Sequence, residues 1–236
     1  MKIYNLTELS AINMSLLLPV YEGAVLPDPF SEYNSCLKEL DLEAGKLFHL
    51  LIPQGSSSKS LLLLGLGKQE EMTARKLRET IGSAIRSFKK TLCIFIDTAA
   101  WEHLSIEEAA AEAAFGAGFS QYDFTKIGSK EEKLPEISFV SSKDIDAICQ
   151  DALLAAACVN HARNLGNMPS NIMTPEVLAK EAEEMAQELN LECEILTNKE
   201  LEEMGAGAIL GVNKGSSHGA RLITLKYEGA PGKDFT

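Results

Sequence analysis

The side chains best able to do chemistry in this 236-residue sequence are few and scattered. His49, His103, His161 and His218 lie too far apart to form a local His-x-x-x-His pair, the spacing that puts two metal ligands on one helix face. His161 sits two residues before Arg163 in a helical stretch, where the arginine would cap the helix end or pair with an acid across an interface. Packing and capping are the expected roles of that pair. Ser216 and Ser217 adjoin His218, but no Gly-x-Ser-x-Gly elbow surrounds them and no acid follows in the order of a hydrolase triad. A flexible glycine-serine loop accounts for them. Gly65-Leu66-Gly67-Lys68 follows an apolar run and precedes a helical pattern, which is where α/β proteins hold phosphates. It has the spacing of neither a Walker loop nor a dinucleotide fingerprint, so the glycines are expected first to serve the turn. The carboxylates of residues 181–203 are strung along helices and a strand instead of converging from strand ends, and read as solvated faces. Cys36, Cys93, Cys149, Cys158 and Cys193 contain no Cys-x-x-Cys spacing and are expected to be reduced, buried thiols.

Bulk composition narrows the class. The chain is 45% hydrophobic and 24% charged, an ordinary globular balance with length for one large domain or one and a half. A net charge of -12 disfavours a general nucleic-acid binder, whose affinity rests on clustered Lys and Arg. No signal-peptide pattern opens the sequence, and its apolar runs are too short to span a bilayer, so a cytoplasmic location and no membrane partner are expected.

Short apolar runs at residues 2–5, 14–20, 46–52, 60–65, 91–97 and 136–140 predict mostly buried strands. Leu77, Ile81, Ile85 and Phe88 recur at helical spacing. Ser105 and Glu108 form a capping box ahead of an alanine-rich helix. This alternation predicts an α/β fold with helices on both faces of a sheet. A loop is expected at residues 128–133 and a long connector helix at about residues 144–164.

Pro169 and Pro175 end that helical pattern, and Thr174-Pro175-Glu176 reads as N-cap, N1 proline and early acid of the next helix. Leu178, Ala182, Met185 and Leu189 are expected to form its apolar face. Leu191, Cys193 and Ile195 then alternate with glutamates as in a half-covered strand. Thr197 and Glu200 form a second capping box, the helix meets Gly205 and Gly207, and residues 221–227 close a β-α-β unit. One such unit is too little to enclose a core, so the second domain looks truncated.

The loop Arg163-Asn164-Leu165-Gly166-Asn167-Met168-Pro169-Ser170-Asn171-Ile172-Met173-Thr174-Pro175 resembles the linker of the cytosolic leucine aminopeptidase family. Residues 60–68 resemble that family's N-terminal central strand and turn, and residues 201–227 the opening of its catalytic domain. The resemblance implies a macro-domain-like α/β/α N-terminal domain (residues 1–143), a connector helix and linker loop (144–175), and the incomplete start of an α/β metallopeptidase domain (176–236). It implies a parent enzyme that removes N-terminal residues from peptides with two divalent ions, Zn or Mn, and assembles as a hexamer. The family's ligands lie in Gly-Lys-Gly-x-x-x-Asp and Asn-x-Asp-x-Glu-Gly-Arg segments. Neither occurs in these 236 residues, and Gly232-Lys233-Asp234 does not substitute for the first.

No catalytic, cofactor-binding or metal residue therefore carries over to a position here, and the chain alone is expected to be inactive. Asn164, Asn167 and Asn171 are expected to bond the linker backbone, Gly205 and Gly207 to serve turns, and Arg221 to enter a strand. Two other readings stay open: a stand-alone macro-like nucleotide-binding module resting on residues 65–68, and a non-catalytic assembly or regulatory relative.

Overall fold

The computed structural model describes residues 2–5, 7, 14–54, 57–124 and 135–229. The loop expected at 128–133 and the segment 232–234 fall outside them. The chain divides into two compact units, residues 1–161 and 162–236. Among the described residues, no helix is long and apolar enough to cross a membrane.

The first unit contains β1 (Ile3–Asn5), β2 (Ser15–Tyr21), α1 (Asn34–Leu37), β3 (Leu47–Gln54), β4 (Ser57–Gly67), α2 (Ala74–Phe88), β5 (Leu92–Phe95), α3 (Ile106–Ser120) and β6 (Ile137–Ser141). Its sheet has the order β1-β6-β5-β2-β4-β3, parallel except for the edge strand β3. The apolar runs are continuous because both faces are covered. In β2, Leu17 and Tyr21 point into one core while Leu16, Leu18 and Val20 point into the other. In β4, Leu62, Leu64 and Leu66 join the first core, and Leu61 and Leu63 the second. β4 begins earlier than its apolar run because β3 pairs with it from Leu47↔Leu64 to Gln54↔Ser57, giving polar residues strand partners.

The two faces are covered unequally. From β4 through β5 to β6 the chain moves in one direction across the sheet, so right-handed crossovers put α2 and α3 on the same face. The other face is closed by α1 and by the apolar side chains of Leu26, Phe30 and Leu42. The α2/α3 contact is close because glycine faces backbone: a Cβ on Gly116 would stand 2.5 Å from the Arg78 carbonyl oxygen. Thr73 caps α2 by accepting from the Lys76 amide, and the Ser105–Glu108 capping box forms as its spacing predicts.

Helix α4 (Asp146–Asn167) contains the boundary between the units. Its first-unit part buries Cys149 and Ala156, and the Asn160 amide group donates to the Gly118 carbonyl over 2.9 Å.

The second unit follows with α5 (Pro175–Leu189), β7 (Glu192–Leu196), α6 (Asn198–Glu203), α7 (Gly207–Asn213) and β8 (Leu222–Lys226). Thr174 caps α5, accepting from the Val177 amide, with Pro175 at the first helical position. Three expectations need correction. On α5, Ala182 is buried as expected, but its buried companions are Ala179 and Ala186, whereas Leu178 and Leu189 are 40% and 62% exposed. Gly207 opens a helix, α7, that the glycine-rich sequence concealed. β7 and β8 pair antiparallel, from Glu192↔Lys226 to Leu196↔Leu222, so they do not form a β-α-β unit. Two short helices instead of one fill the connection, and a second helical pass returns the chain to the end of the strand it left.

Candidate functional site

At Gly65 and Gly67 the turn has a structural occupation. The Gly65 amide donates to the Lys46 carbonyl at 2.8 Å, the Gly67 amide to that of Leu42 at 2.8 Å, and the Gly45 amide returns a bond to Gly65 at 2.9 Å. Only glycine fits at 65, since a Cβ would lie 2.5 Å from the Glu43 carbonyl oxygen; Gly67 has φ +71°. Amides spent on carbonyls cannot cradle a phosphate. The adjoining depression, about 450 Å³, is lined by Glu22, Asp41, Glu43 and Glu71 as well as by Lys68 and Lys76, a poor field for an anion. Lys46 pairs with Asp41 and Glu43, and Lys68 lies 3.9 Å from Glu71.

The carboxyl ends of the central strands, the other usual ligand position in a parallel sheet, are filled from within. The Tyr21 hydroxyl donates to the Ala99 carbonyl over 3.0 Å, and Trp101 stacks edge-on against the Tyr21 ring. Burial pushes the Tyr21 phenol well above its ordinary range. Asp97 accepts from the Ser141 hydroxyl at 2.6 Å and from the Ser142 amide. These groups fasten the turns after β5 and β6 to each other.

Two other sequence candidates are placed apart from any cluster. His161 is exposed, so it is not a packed residue as expected. Among the thiols, Cys93 and Cys149 are buried, Cys193 is half-buried, and Cys36 and Cys158 are exposed, which corrects the uniform burial expected; none of the five is in a disulfide. Cys36 lies on the four-residue helix α1 and Cys158 on the outer face of α4, so an apolar neighbourhood in sequence did not mean burial.

A convergence of charged groups that the sequence did not reveal lies in the second unit. Glu176, on the first turn of α5, meets His218 and Arg221 from the segment before β8: His218 Nδ1 is 3.5 Å from Oε2 and Arg221 Nη2 is 3.3 Å from Oε1. The Glu176 backbone amide, then the Thr174 hydroxyl and the charges of Arg221 and His218, hold its carboxyl below the usual carboxylate range against the opposing effect of desolvation. Glu176 Oε2 accepts no hydrogen bond although the atom itself is buried. Asn198 extends the network, its side-chain oxygen accepting from the Ala220 amide at 2.6 Å. The Ser216 hydroxyl accepts from the His218 amide at 3.0 Å, and the His218 ring turns to Glu176. Serine and histidine thus fasten a loop, with no nucleophile-base geometry between them.

Beside this network is an apolar groove of about 690 Å³, with Pro175, Leu178, Ile209, Val212 and Ile223 on its walls and Arg221 at its margin. In the linker, Pro169 accepts from the amides of Ile172 and Met173, both at 2.9 Å, making a compact turn. Asn164 and Asn167 stand in the last turns of α4, and Asn171 is exposed in that turn. Gly205 takes φ +72° as a turn glycine, Gly207 is helical, and Arg221 immediately precedes β8. Among the described residues no three His, Cys, Asp or Glu side chains are grouped to hold a metal ion.

Comparisons with known proteins match both units. Residues 29–131 match the N-terminal domain of the cytosol aminopeptidase family, and residues 160–235 match its catalytic domain. A probable cytosol aminopeptidase of Agrobacterium fabrum is 36% identical over 196 residues, covering 78% of this chain and 39% of that protein. One from Clostridium perfringens is 28% identical over 233 residues, covering 91% and 47%. The chain therefore spans less than half the length of these curated relatives. Among solved structures, a mutant of tomato leucine aminopeptidase matches with TM-score 0.80 and 20% identity over 99% of this chain and 52% of that one. The bottromycin maturation enzyme BotP, in complex with Mn, matches with TM-score 0.74 and 21% identity over 92% and 46%. At such identities the structural likeness establishes the fold.

Proposed function

The chain belongs to the cytosol aminopeptidase family, and on that premise we propose that it supplies the N-terminal domain, connector and opening catalytic segment of a metal-dependent leucyl aminopeptidase. The observation that carries the reading is the pair of matches in family order, 29–131 ending before the connector α4 and 160–235 beginning within its last turns. The complete enzyme removes N-terminal residues from peptides in the cytoplasm, as a hexamer. The first unit, with its macro-like α/β/α arrangement, serves assembly; residues 144–175 connect it to the catalytic domain that opens at residue 176.

Two divalent ions, Zn or Mn, supply the chemistry when bound, by activating water and stabilising developing charge. The residues present here do not fit those ions: the described acids are spread over helix faces or, like Glu176 and Asp97, already engaged. The chain contributes scaffold, with Glu176, His218 and Arg221 as positioning residues of the loop before β8. A nucleotide-binding role loses its support once the amides of Gly65 and Gly67 are committed to carbonyls.

Two measurements test the proposal. The product of the native gene is expected to exceed the mass of 236 residues and to hydrolyse leucine amides only with Mn or Zn. The purified 236-residue chain, given either ion, is expected to show no turnover. Metal-dependent turnover by that chain would overturn the assignment of its residues to scaffold, and a native product of 236 residues would overturn the peptidase reading itself.

A further inference from the structure

Glu176 uses its two carboxylate oxygens unequally. Oε1 faces Arg221 Nη2 at 3.3 Å, whereas Oε2, out of contact with water, accepts no hydrogen bond. A buried acceptor on a charged group is costly to leave unsatisfied, so an arrangement that supplies a donor is favoured over one that does not. The His218 ring stands within reach, its Nδ1 3.5 Å from Oε2, too long for a hydrogen bond of full strength. A neutral ring offers there either a lone pair, which the carboxylate repels, or an uncharged N–H; a protonated ring offers an N–H that carries charge. Imidazoles change between these forms at about pH 5–8.

The segment before β8 is held by few ties to other elements. Among the described residues, the bonds of 214–218 stay local: the Lys214 amide donates to the Gly211 carbonyl, the Ser216 amide to that of Asn213, the His218 amide to the Ser216 hydroxyl, and the Asn213 side chain to the His218 carbonyl. The ties outward are the Ala220 amide to Asn198 of α6, Arg221 to Glu176, and His218 to Glu176. Gly219 lets the segment lie close against the pair, since a Cβ there would stand 3.0 Å from Arg221 Nη1 and 3.8 Å from Glu176 Oε1. Of the three ties, His218 is nearest the exposed turn at 214–217 and is the one that a proton strengthens. Ser216, Ala220 and Arg221 also line the 690 Å³ groove, so what fixes this segment fixes that wall.

The charged groups around the ring come from three places. Glu176 is on α5 and Arg221 on the ring's own segment. On α6, the Glu200 carboxyl is held low first by the Thr197 hydroxyl, then by its amide and by the charges of Lys199 and Arg221. Helix α7 brings Asn213 and no acid or base. We propose that protonation of His218 latches residues 214–221 onto the first turn of α5, and that its neutralisation releases them. The charged N–H satisfies Oε2 while Oε1 stays with Arg221, so no existing pair is broken. A proton that favours the latched loop is held more tightly in it, so the latch is present below the histidine range and lost above it. Glu176 stays ionised throughout that window, its carboxyl being held below the usual range by its own backbone amide first. Both side chains are partly exposed, 47% and 40%, and solvent screening limits the effect to a few-fold.

The test is amide hydrogen exchange on the 236-residue chain at pH 6 and pH 8, corrected for the intrinsic pH dependence, with the histidine ring signals titrated by NMR in parallel. Protection of the amides at 218 and 220 is expected to be about threefold higher at pH 6 than at pH 8. His218→Asn keeps the backbone bonds of the loop and is expected to flatten that difference; it also identifies the His218 ring signal by its loss. In Glu176→Gln the His218 ring is expected to titrate at lower pH than in the parent chain, with His49, His103 and His161 unmoved. Unchanged β7 and β8 amide signals show that each variant retains its fold. Equal protection at the two pH values, a difference that persists in His218→Asn, or a His218 ring titration indifferent to Glu176→Gln would each overturn the latch. No turnover is read, so these outcomes stand apart from those that decide the peptidase reading.

Discussion

Replacing Gly65 by alanine asks whether the glycine turn serves architecture or a ligand. The added Cβ would meet the Glu43 carbonyl oxygen at 2.5 Å, the Leu42 carbonyl oxygen at 2.6 Å and the Leu42 carbonyl carbon at 2.7 Å, all of them backbone. Reaching even 3.0 Å requires a displacement of at least about 0.5 Å, and no side chain can rotate away to provide it. The segment that must move is pinned by Gly65 N to Lys46 O and Gly67 N to Leu42 O, both 2.8 Å, and by Gly45 N to Gly65 O at 2.9 Å. Overpacking of this kind costs about 1–3 kcal/mol, and loss of one of those bonds adds about 1 kcal/mol. The expected destabilisation is therefore about 2–4 kcal/mol, or roughly 5–15 °C in Tm for a unit of this size. Trp101, the only tryptophan, stacks on Tyr21 in this unit, so its fluorescence reports the transition in a denaturant titration. Gly45→Ala is the control: nothing lies within 4 Å of its Cβ, and φ +91° costs about 1 kcal/mol. A Gly65→Ala midpoint within about 0.5 kcal/mol of the parent chain would refute the steric argument and return the turn to the list of ligand sites.

Two further outcomes follow from ionisation and exposure. Because the folded Glu176 carboxyl is held below its unfolded value, the stability it adds to the second unit is present above the ordinary carboxylate range and is lost as pH falls through the folded value. Amide signals of β7 followed from about pH 7 to about pH 3 are expected to show this acid loss, and Glu176→Gln to diminish it; an unchanged acid limb would remove Glu176 from the network. Native thiol titration is expected to modify Cys36 and Cys158 first, Cys193 slowly, and Cys93 and Cys149 only on unfolding. Burial first, then the charge of Asp146, pushes the Cys149 thiol up to about 12, so rapid labelling of Cys149 in the folded chain would contradict its packing on the inner face of α4 against α3.

What the sequence disclosed is what local chemistry decides. Thr174-Pro175, Ser105 with Glu108, and Thr197 with Glu200 mark helix starts through bonds spanning only three residues, and each helix begins there. The strands of the first unit were legible because burial on both faces demands uninterrupted apolar runs. α7 was not, since seven residues with glycine at 207 and 211 show too few turns for a period to emerge. Nor was the Glu176–His218–Arg221 network: Glu176 is more than forty positions from the other two, and it showed itself only as an acid suited to a helix N-terminus. The direction of the β7–β8 pairing is equally non-local, fixed by how many helical passes separate the strands.

The misassigned face of α5 shows why composition misled more than periodicity did. Leu178, Ala182, Met185 and Leu189 satisfy a helical period, yet of these only Ala182 is buried, and its buried neighbours are Ala179 and Ala186, each one position beyond an expected residue. A helix with two apolar stripes has two possible inner faces, and this unit covers only the alanine one. The same apolar content that makes two continuous cores in the first unit is, in the second, turned outward at Leu178, Val212 and Tyr227. One hydrophobic fraction of 45% thus averages a unit that satisfies its own burial with one that does not. Only in the second do pattern and exposure disagree, since Leu178 and Leu189 keep a helical period while standing 40% and 62% exposed.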